Sequence, residues 1–103
     1  MGKTIEMRVA WGDALLELTK THPNVMVLDA DLASSTMAQT VAYEAPEFFL
    51  NLGIAEQNAV SFAAGLARMG FVPIVPLFAC FSARRALDQV TIQVAYADLN
   101  VKV

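Results

Sequence analysis

The chain has 103 residues, which is enough for one domain of modest size and too few for two. Hydrophobic residues make up 56% of it and charged residues 17%, so we expect another domain or subunit to cover part of this apolar surface. The formal net charge of −3 and the absence of a basic cluster exclude a nucleic-acid partner, because neutralising phosphates requires a patch of Lys and Arg.

Charged residues interrupt the most apolar segments of the chain. No run reaches the roughly 18 uninterrupted apolar residues of a membrane-spanning helix, because Arg68, Arg84 and Arg85 break the longest stretches. The N-terminal segment, with Lys3 and Glu6, does not have the form of a signal peptide. We therefore expect a cytoplasmic protein with no membrane partner.

The first predicted helix and the first predicted strand follow one another directly. Apolar side chains recur at helical spacing from Arg8 to Lys20, and Pro23 ends the pattern because proline cannot continue a helix. The continuous apolar run from Val25 to Asp29 is typical of a strand that is buried on both faces.

A second helix and a second strand are predicted next. Ser34 or Ser35 is the candidate N-cap of the helix, and Pro46 ends it. The short apolar run from Phe48 to Gly53 then predicts a strand that the glycine closes.

The third helix is predicted from about Ile54 to Met69, with Gly70 as its C-terminal stop. Alanines repeat along it at four-residue intervals beside larger apolar side chains, so we expect a buried helix. With Gly53 as the N-cap, Glu56 occupies the third helical position. An acidic residue there complements the helix dipole, but a carboxylate on a buried helix also needs a partner.

The remaining segment predicts one more strand and helix and the beginning of another strand. The apolar run 71–78 reads as a strand, and Pro73 and Pro76 place part of it at an edge or give it an irregular tip. The last helix is predicted from residue 82 or 83 through 97, and 99–103 begins a fourth strand. We therefore expect residues 1–103 to be one domain that is incomplete at its C-terminus.

The alternation of strands and helices predicts an α/β fold, in which a parallel sheet carries helices on both faces. All strand-to-helix loops of such a sheet emerge at its carboxyl edge, where open α/β proteins bind ligands.

Carboxylates follow the first predicted strand at this edge. Asp29 and Asp31 are two residues apart, and in an extended chain such residues point the same way, so both can face one crevice. The alternative for Asp29 is a helix cap or a turn. A divalent metal site is the weaker hypothesis because no third ligand stands nearby.

Aromatic and basic residues follow the third predicted strand. Phe78 and Phe81 are three apart, a spacing that can place two rings around one flat ligand, and the alternative is core packing. Arg84 and Arg85 add positive charge there, unless they are solvated or paired with Asp88 on the same helix.

The one cysteine and the one histidine carry no predicted chemistry. Because Cys80 is the one cysteine of the sequence, an internal disulfide is excluded. Its neighbours Phe78 and Phe81 indicate that it is a small buried hydrophobic residue. His22 lies beside a proline in a turn, so we expect it at the surface.

Taken together, "DADLASS", "NLGIAEQNAVSFAAGLARMGFVPIVPLFACF" and "RRALDQV" resemble the pyrimidine-binding domain of the transketolase family of thiamine-diphosphate enzymes. The similarity runs from the first helix to Val103 and is greatest to the C-terminal subunit of split transketolases. Deoxyxylulose-phosphate synthase and the β subunit of 2-oxoacid dehydrogenases are more distant relatives. The specific element is "GIAEQN".

The resemblance implies roles for particular residues. Glu56 matches the glutamate that hydrogen-bonds N1′ of the cofactor's aminopyrimidine and favours the tautomer that deprotonates the thiazolium, which makes it a general acid/base acting through the cofactor. Phe81 and Phe78 match the aromatic residues that pack on the pyrimidine. Ile54 is implied as an apolar neighbour of that ring, and Asp31 falls near the thiazolium.

The resemblance also implies partners that this chain does not supply. The family binds the diphosphate and Mg²⁺ through a "GDG" motif and a downstream Asn on another domain, and this chain has no such motif. Arg84 stands where many transketolases carry a third aromatic residue. The cofactor of this family lies between the pyrimidine domain of one protomer and the diphosphate domain of another. This implies a homo- or hetero-oligomer in which the small residues of the Ala-rich helix that carries Glu56 face another subunit.

The implied activity is the transfer of two-carbon ketol units between sugar phosphates, with this chain inactive by itself. Two alternatives stay open. One keeps thiamine diphosphate but assigns the chain to a β-type subunit of a 2-oxoacid dehydrogenase or to an enzyme like deoxyxylulose-phosphate synthase. The other is a non-catalytic α/β interaction module.

Overall fold

Parallel strands form the sheet of the computed structural model, which describes residues 2–103: β1 Val25–Asp29, β2 Phe49–Asn51 and β3 Val72–Ile74. β1 lies between the other two, in the order β2-β1-β3. Val27 of β1 is paired with Phe49 on one side and with Ile74 on the other. The predicted parallel α/β architecture is confirmed.

Helices precede, connect and follow these strands. The α-helices are α1 Met7–Thr21, α2 Ala33–Thr36, α3 Gln39–Glu44, α4 Glu56–Arg68 and α5 Leu87–Gln89. A short 3₁₀ turn, Pro46–Phe48, precedes β2, and π-helical turns, Phe81–Arg85 and Val90–Ala95, flank α5. The last helix is therefore not the regular one predicted from residue 82 or 83 to 97. No helix described between residues 2 and 103 is long and apolar enough to cross a membrane.

The core lies on both faces of β1. Val27 and Leu28 are adjacent, point to opposite faces and are fully buried. Val27 packs in a cluster with Leu15 of α1 and Val41 of α3, so these two helices cover one face. Leu28 packs in a second cluster that includes α4 on the other face. Helices on both faces of the sheet were predicted and are confirmed.

The alanines of α4 serve this core. Ala59 and Ala63 are fully buried against Leu28 and Val75 within the chain itself. The expectation that these small residues face another subunit is therefore wrong. Their size instead brings the helix backbone close to the sheet.

The predicted second helix is divided into α2 and α3. Ser34 and Ser35 lie inside α2 and do not cap it. The carboxylate of Asp29 takes the capping role, because it accepts hydrogen bonds from the backbone N–H groups of Leu32 and Ala33. After α2, Met37 adopts the left-handed conformation with φ 68° and interrupts the helix.

A fourth strand begins beside β3, as predicted. The Lys102 N–H donates to the Pro73 carbonyl at 2.9 Å, and the Val75 N–H donates to the Lys102 carbonyl at 2.7 Å. These bonds form a parallel bridge between Ile74 and Lys102. β3 ends before Pro76, which agrees with the irregular tip expected from the prolines.

Two glycines test the packing of α1 and α4. A Cβ atom on Gly12 would lie 2.8 Å from the Met37 carbonyl oxygen, a backbone atom that cannot easily move aside. We expect Gly12→Ala to lower the free energy of unfolding by about 1–3 kcal/mol through overpacking. Gly65→Ala, on the exposed side of α4 with nothing within 4 Å, is the control and should raise it by roughly 0.5–1 kcal/mol. Urea unfolding followed by circular dichroism measures both, and equal effects would contradict the packing described.

Candidate functional site

Glu56 is the first residue of α4, at the carboxyl edge of the sheet. The residue before the helix is Ala55, so the expectation that Gly53 is the N-cap and Glu56 the third helical residue is wrong. Gly53 instead has φ 78° and forms a turn, in which its N–H donates to the Asn51 side-chain oxygen at 2.8 Å. This turn delays the start of the helix.

The carboxylate of Glu56 is buried because of the helical register. Ala59 and Val60 lie three and four residues after Glu56, and Ala63 lies four and three residues after them, which places all of them on one face of α4. That face packs on the core, and Glu56 is only 4% exposed. A carboxylate in this position requires a hydrogen-bonding partner of opposite charge.

Arg85 is that partner. Its Nη1 donates to Glu56 Oε1 at 3.0 Å, whereas no hydrogen bond from residues 2–103 reaches Glu56 Oε2. Gln57, the next residue of α4, donates from its side chain to the Arg85 carbonyl at 2.9 Å. The sequence predicted positive charge from Arg85 in this region, with solvation or a pair with Asp88 as the alternatives, and it did not predict the contact with Glu56. The buried carboxylate was the signal that a cation had to lie nearby.

Aromatic rings lie next to this ion pair. The rings of Phe78 and Phe81 have centroids 5.7 Å apart and planes inclined by 17°, so they stack on one another. Two rings that enclose a flat ligand must stand about 7 Å apart, twice the carbon contact distance of roughly 3.5 Å. In this structure the two rings therefore do not enclose a flat ligand between them, which was one of the two possibilities that the spacing left open. The Arg85 guanidinium carbon lies 4.3 Å from the Phe81 centroid, which is a cation–π contact.

The carboxylates after β1 have separate environments. Asp29 is fully buried, and its oxygens accept the Leu32 and Ala33 N–H groups at 3.1 and 3.3 Å, which confirms the capping alternative. Burial raises the pKa of Asp29, and the backbone hydrogen bonds partly oppose that shift. Asp31 is exposed with φ 63°, so the chain is not extended there. The expectation that Asp29 and Asp31 point the same way, which required an extended chain, is therefore wrong.

A small crevice nevertheless lies beside both carboxylates. Its volume is about 270 Å³, and it is lined by Asp29, Asp31, Ala33, Ser34, Gln39, Ala42, Tyr43, Phe49 and Asn51. The Asn51 side-chain amide donates to Asp31 at 3.2 Å and joins the ends of β1 and β2. Between residues 2 and 103, no group of three or more His, Cys, Asp and Glu side chains forms a metal site.

The other residues singled out from the sequence lie at the surface. Ile54 is 78% exposed, two residues before Glu56. Cys80 is exposed, so the expectation of a buried hydrophobe is wrong. The helical turn begins at Ala79, and Phe81, not Cys80, takes the partly covered side. His22 is exposed, as predicted.

A larger and mostly apolar cavity lies away from Glu56. Its volume is about 500 Å³, and it lies between α1, the end of β3 and the C-terminal strand. Trp11, Leu77 and Lys102 are among its lining residues. It contains none of the predicted site residues, so its size does not make it the functional site.

Residues 3–103 match the family model described as "Transketolase, pyrimidine binding domain". The chain is 45% identical over 97 residues to a protein of Methanocaldococcus jannaschii assigned as a transketolase C-terminal section, covering 94% of this chain and 31% of that protein. It is 41% identical over 96 residues to a 6-deoxy-6-sulfo-D-fructose transketolase subunit of Clostridium sp., covering 93% and 30%. It is also 40% identical over 88 residues to 1-deoxy-D-xylulose-5-phosphate synthase of Natranaerobius thermophilus, covering 85% and 14%.

A solved structure shares the fold. It is described as a split-gene transketolase in an inactive β4 tetramer, and it matches with a TM-score of 0.86 and 44% identity. The match covers 96% of this chain and 33% of that one. The chain thus spans about a third of the length of its split-transketolase relatives.

The buried cap predicts a pH dependence of stability. Because the pKa of Asp29 is raised, the folded chain holds this proton more tightly than the unfolded chain does. The protonated carboxyl of Asp29 therefore stabilises the fold below pH 3.8, the ordinary pKa of an aspartate. This stabilisation is lost as the pH rises from 3.8 through the higher pKa of the folded state.

We therefore expect the wild-type free energy of unfolding to fall relative to that of Asp29→Asn as the pH rises through this range. Asp31→Asn, at an exposed position, controls for the loss of one charge. Urea unfolding at a series of pH values measures the difference. A difference between the wild type and Asp29→Asn that stays constant or grows in favour of the wild type would contradict the assignment.

Proposed function

The chain belongs to the transketolase pyrimidine-binding domain family, and from that premise we propose that residues 1–103 are the pyrimidine-binding part of a thiamine-diphosphate-dependent transketolase. The proposed reaction is the transfer of two-carbon ketol units between sugar phosphates in the cytoplasm, as a step of carbohydrate metabolism. The observation that carries the proposal is the buried carboxylate of Glu56 beside the aromatic surface of Phe81.

The residues present fit the pyrimidine half of that cofactor. An aminopyrimidine is flat, offers an aromatic face and presents a ring nitrogen at its edge. The Arg85 guanidinium, which is also flat, reaches Glu56 Oε1 at 3.0 Å and the Phe81 centroid at 4.3 Å at the same time. The spacing between carboxylate and ring therefore suits a planar group that donates N–H to one and stacks on the other.

Each site residue has a proposed role in this arrangement. Glu56 is the catalytic residue, which hydrogen-bonds the N1′ nitrogen and holds or releases a proton there. Phe81 and Phe78 pack on the pyrimidine ring, and the exposed Ile54 provides an apolar contact. Asp31, at the carboxyl end of β1, lies on the thiazolium side. Thiamine diphosphate supplies, when bound, the nucleophilic carbon that attacks the ketose carbonyl.

The proposed partner is a diphosphate-binding domain or subunit of the same enzyme, which carries the "GDG" motif and binds Mg²⁺ and the diphosphate. The two together form a homo- or hetero-oligomer with the cofactor between them. The solved relative described as an inactive β4 tetramer supports this requirement, because it is a β-only assembly without activity.

A second candidate reaction keeps the same cofactor and the same role for Glu56. The 40% identity to a 1-deoxy-D-xylulose-5-phosphate synthase favours it, although two of the relatives with higher identity are split transketolases. Assays of the assembled enzyme separate the two reactions. A transketolase accepts a ketose phosphate as the two-carbon donor, whereas a synthase requires a 2-oxoacid and releases carbon dioxide.

Glu56→Gln in the assembled enzyme tests the catalytic role. The amide keeps the shape of the side chain but cannot take up a proton, so turnover should fall by about 10²–10⁴-fold. Glu47→Gln, at an exposed carboxylate, is the matched control and should leave turnover unchanged. Unaltered turnover and unaltered affinity for thiamine diphosphate in Glu56→Gln would refute the assignment.

Mixing experiments test the requirement for a partner. The chain alone should show no ketol transfer, and a complete subunit that contains it should become active when a diphosphate-binding chain, thiamine diphosphate and Mg²⁺ are added together. Omitting any one of the three should abolish it. A non-catalytic interaction module predicts no activity in any mixture.

A further inference from the structure

We propose that Arg85 occupies the pyrimidine-binding surface of the free chain, and that a pyrimidine binds by displacing its guanidinium. This inference rests on the proposed function and concerns the regulation of the same site. It assigns Arg85 an autoinhibitory contact with the two groups that the pyrimidine requires.

The contacts of Arg85 carry the inference. One guanidinium bonds the carboxylate of Glu56 at 3.0 Å and lies over the ring of Phe81, with its carbon 4.3 Å from the centroid. These are the same carboxylate and the same ring to which the pyrimidine is assigned. A ring face in van der Waals contact with one planar group cannot accept a second on the same side. The guanidinium and the pyrimidine therefore compete.

The chemistry of the two groups is alike. A guanidinium is planar and delocalised, is weakly hydrated, donates N–H groups in its plane and stacks on aromatic faces. An aminopyrimidine with a proton on its ring nitrogen is also planar, donates N–H in its plane and stacks. Glu56 and Phe81 thus suit any planar N–H donor, and the Arg85 guanidinium is already one.

Release of Arg85 is a local event. Its backbone carbonyl is held by the Gln57 side chain at 2.9 Å, and the Ala86 N–H donates to the Phe81 carbonyl at 3.0 Å across the π-helical turn. The Arg85 side chain, by contrast, is 50% exposed. The guanidinium can rotate into solvent while the backbone stays in place. The apparent Kd for a pyrimidine is then the intrinsic Kd divided by the fraction of molecules in which Arg85 has left the site.

A titration of the 103-residue chain tests this competition. The probe is 4-amino-5-hydroxymethyl-2-methylpyrimidine, which lacks the diphosphate, and binding is followed by NMR. We expect Arg85→Gln to lower the Kd about threefold to tenfold relative to the wild type. Arg68→Gln, at an exposed position in the last turn of α4, removes the same charge and should leave the Kd unchanged. In the wild type, the Arg85 side-chain Nε–H signal should shift as the probe binds.

A second variant keeps the test decisive if Arg85→Gln leaves Glu56 without a cation and unfolds. Arg85→Lys retains the charge but loses the planar stacking, so its Kd should lie between those of the wild type and Arg85→Gln. Circular dichroism reports the fold of each variant. An unchanged or higher Kd in the folded Arg85 variants, or no binding by any of them, would overturn the inference. The proposed function is judged separately, by Glu56→Gln in the assembled enzyme.

Discussion

The burial of β1 on both faces is the constraint on which the rest of the structure depends. Val27 and Leu28 are consecutive and fully buried, so each face of the strand requires its own cover. α1 and α3 provide it on one side and α4 on the other. Because α4 must lie against Leu28, its first turn is held beside the carboxyl end of the sheet. The position of Glu56 follows from the packing of the core.

The small residues of α4 then decide the environment of Glu56. Ala59 and Ala63 bring the helix close to the sheet, and Glu56 precedes them on the same face. The helix therefore carries its carboxylate into a buried position, where it needs a cation. The segment after β3 meets this need, since it presents Arg85 and Phe81 one helical turn apart. Core packing and site chemistry are thus properties of one helix face.

The sequence predicted the architecture because its apolar patterns are local. The run Val25–Asp29 and the helical periodicities on either side are each visible within a short window, and the structure confirms them. Caps and turns were predicted less well, because several side chains compete for the same N–H groups. Ser34 and Ser35 are residue types that commonly cap helices. The backbone N–H groups of Leu32 and Ala33 instead donate to the carboxylate of Asp29, at the end of β1. Gly53 likewise formed a turn instead of the helix cap.

The sequence predicted that Glu56, Phe78 and Phe81 share one edge of the sheet, but it did not predict their contacts. Arg85 links Glu56 to Phe81, and Phe81 stacks on Phe78. The pair of Glu56 with Arg85 spans 29 residues, and no local pattern reports it. The π-helical turn at Phe81–Arg85 also changes which arginine faces the carboxylate, since a regular helix places residues differently around its axis. Tertiary packing decides both features.

The asymmetry of this ion pair has a functional consequence. The Arg85 side chain is half exposed, whereas Glu56 is 4% exposed. A pair whose cation is half in water contributes little to stability, but a buried carboxylate left without any partner is costly. Glu56 therefore tolerates the exchange of its partner better than its loss. A planar N–H donor that enters from the carboxyl edge of the sheet would exchange partners in this way, because it would replace the hydrogen bond between the Arg85 guanidinium and Glu56. The half-exposed contact that satisfies Glu56 in this structure is therefore the contact that the proposed pyrimidine would replace.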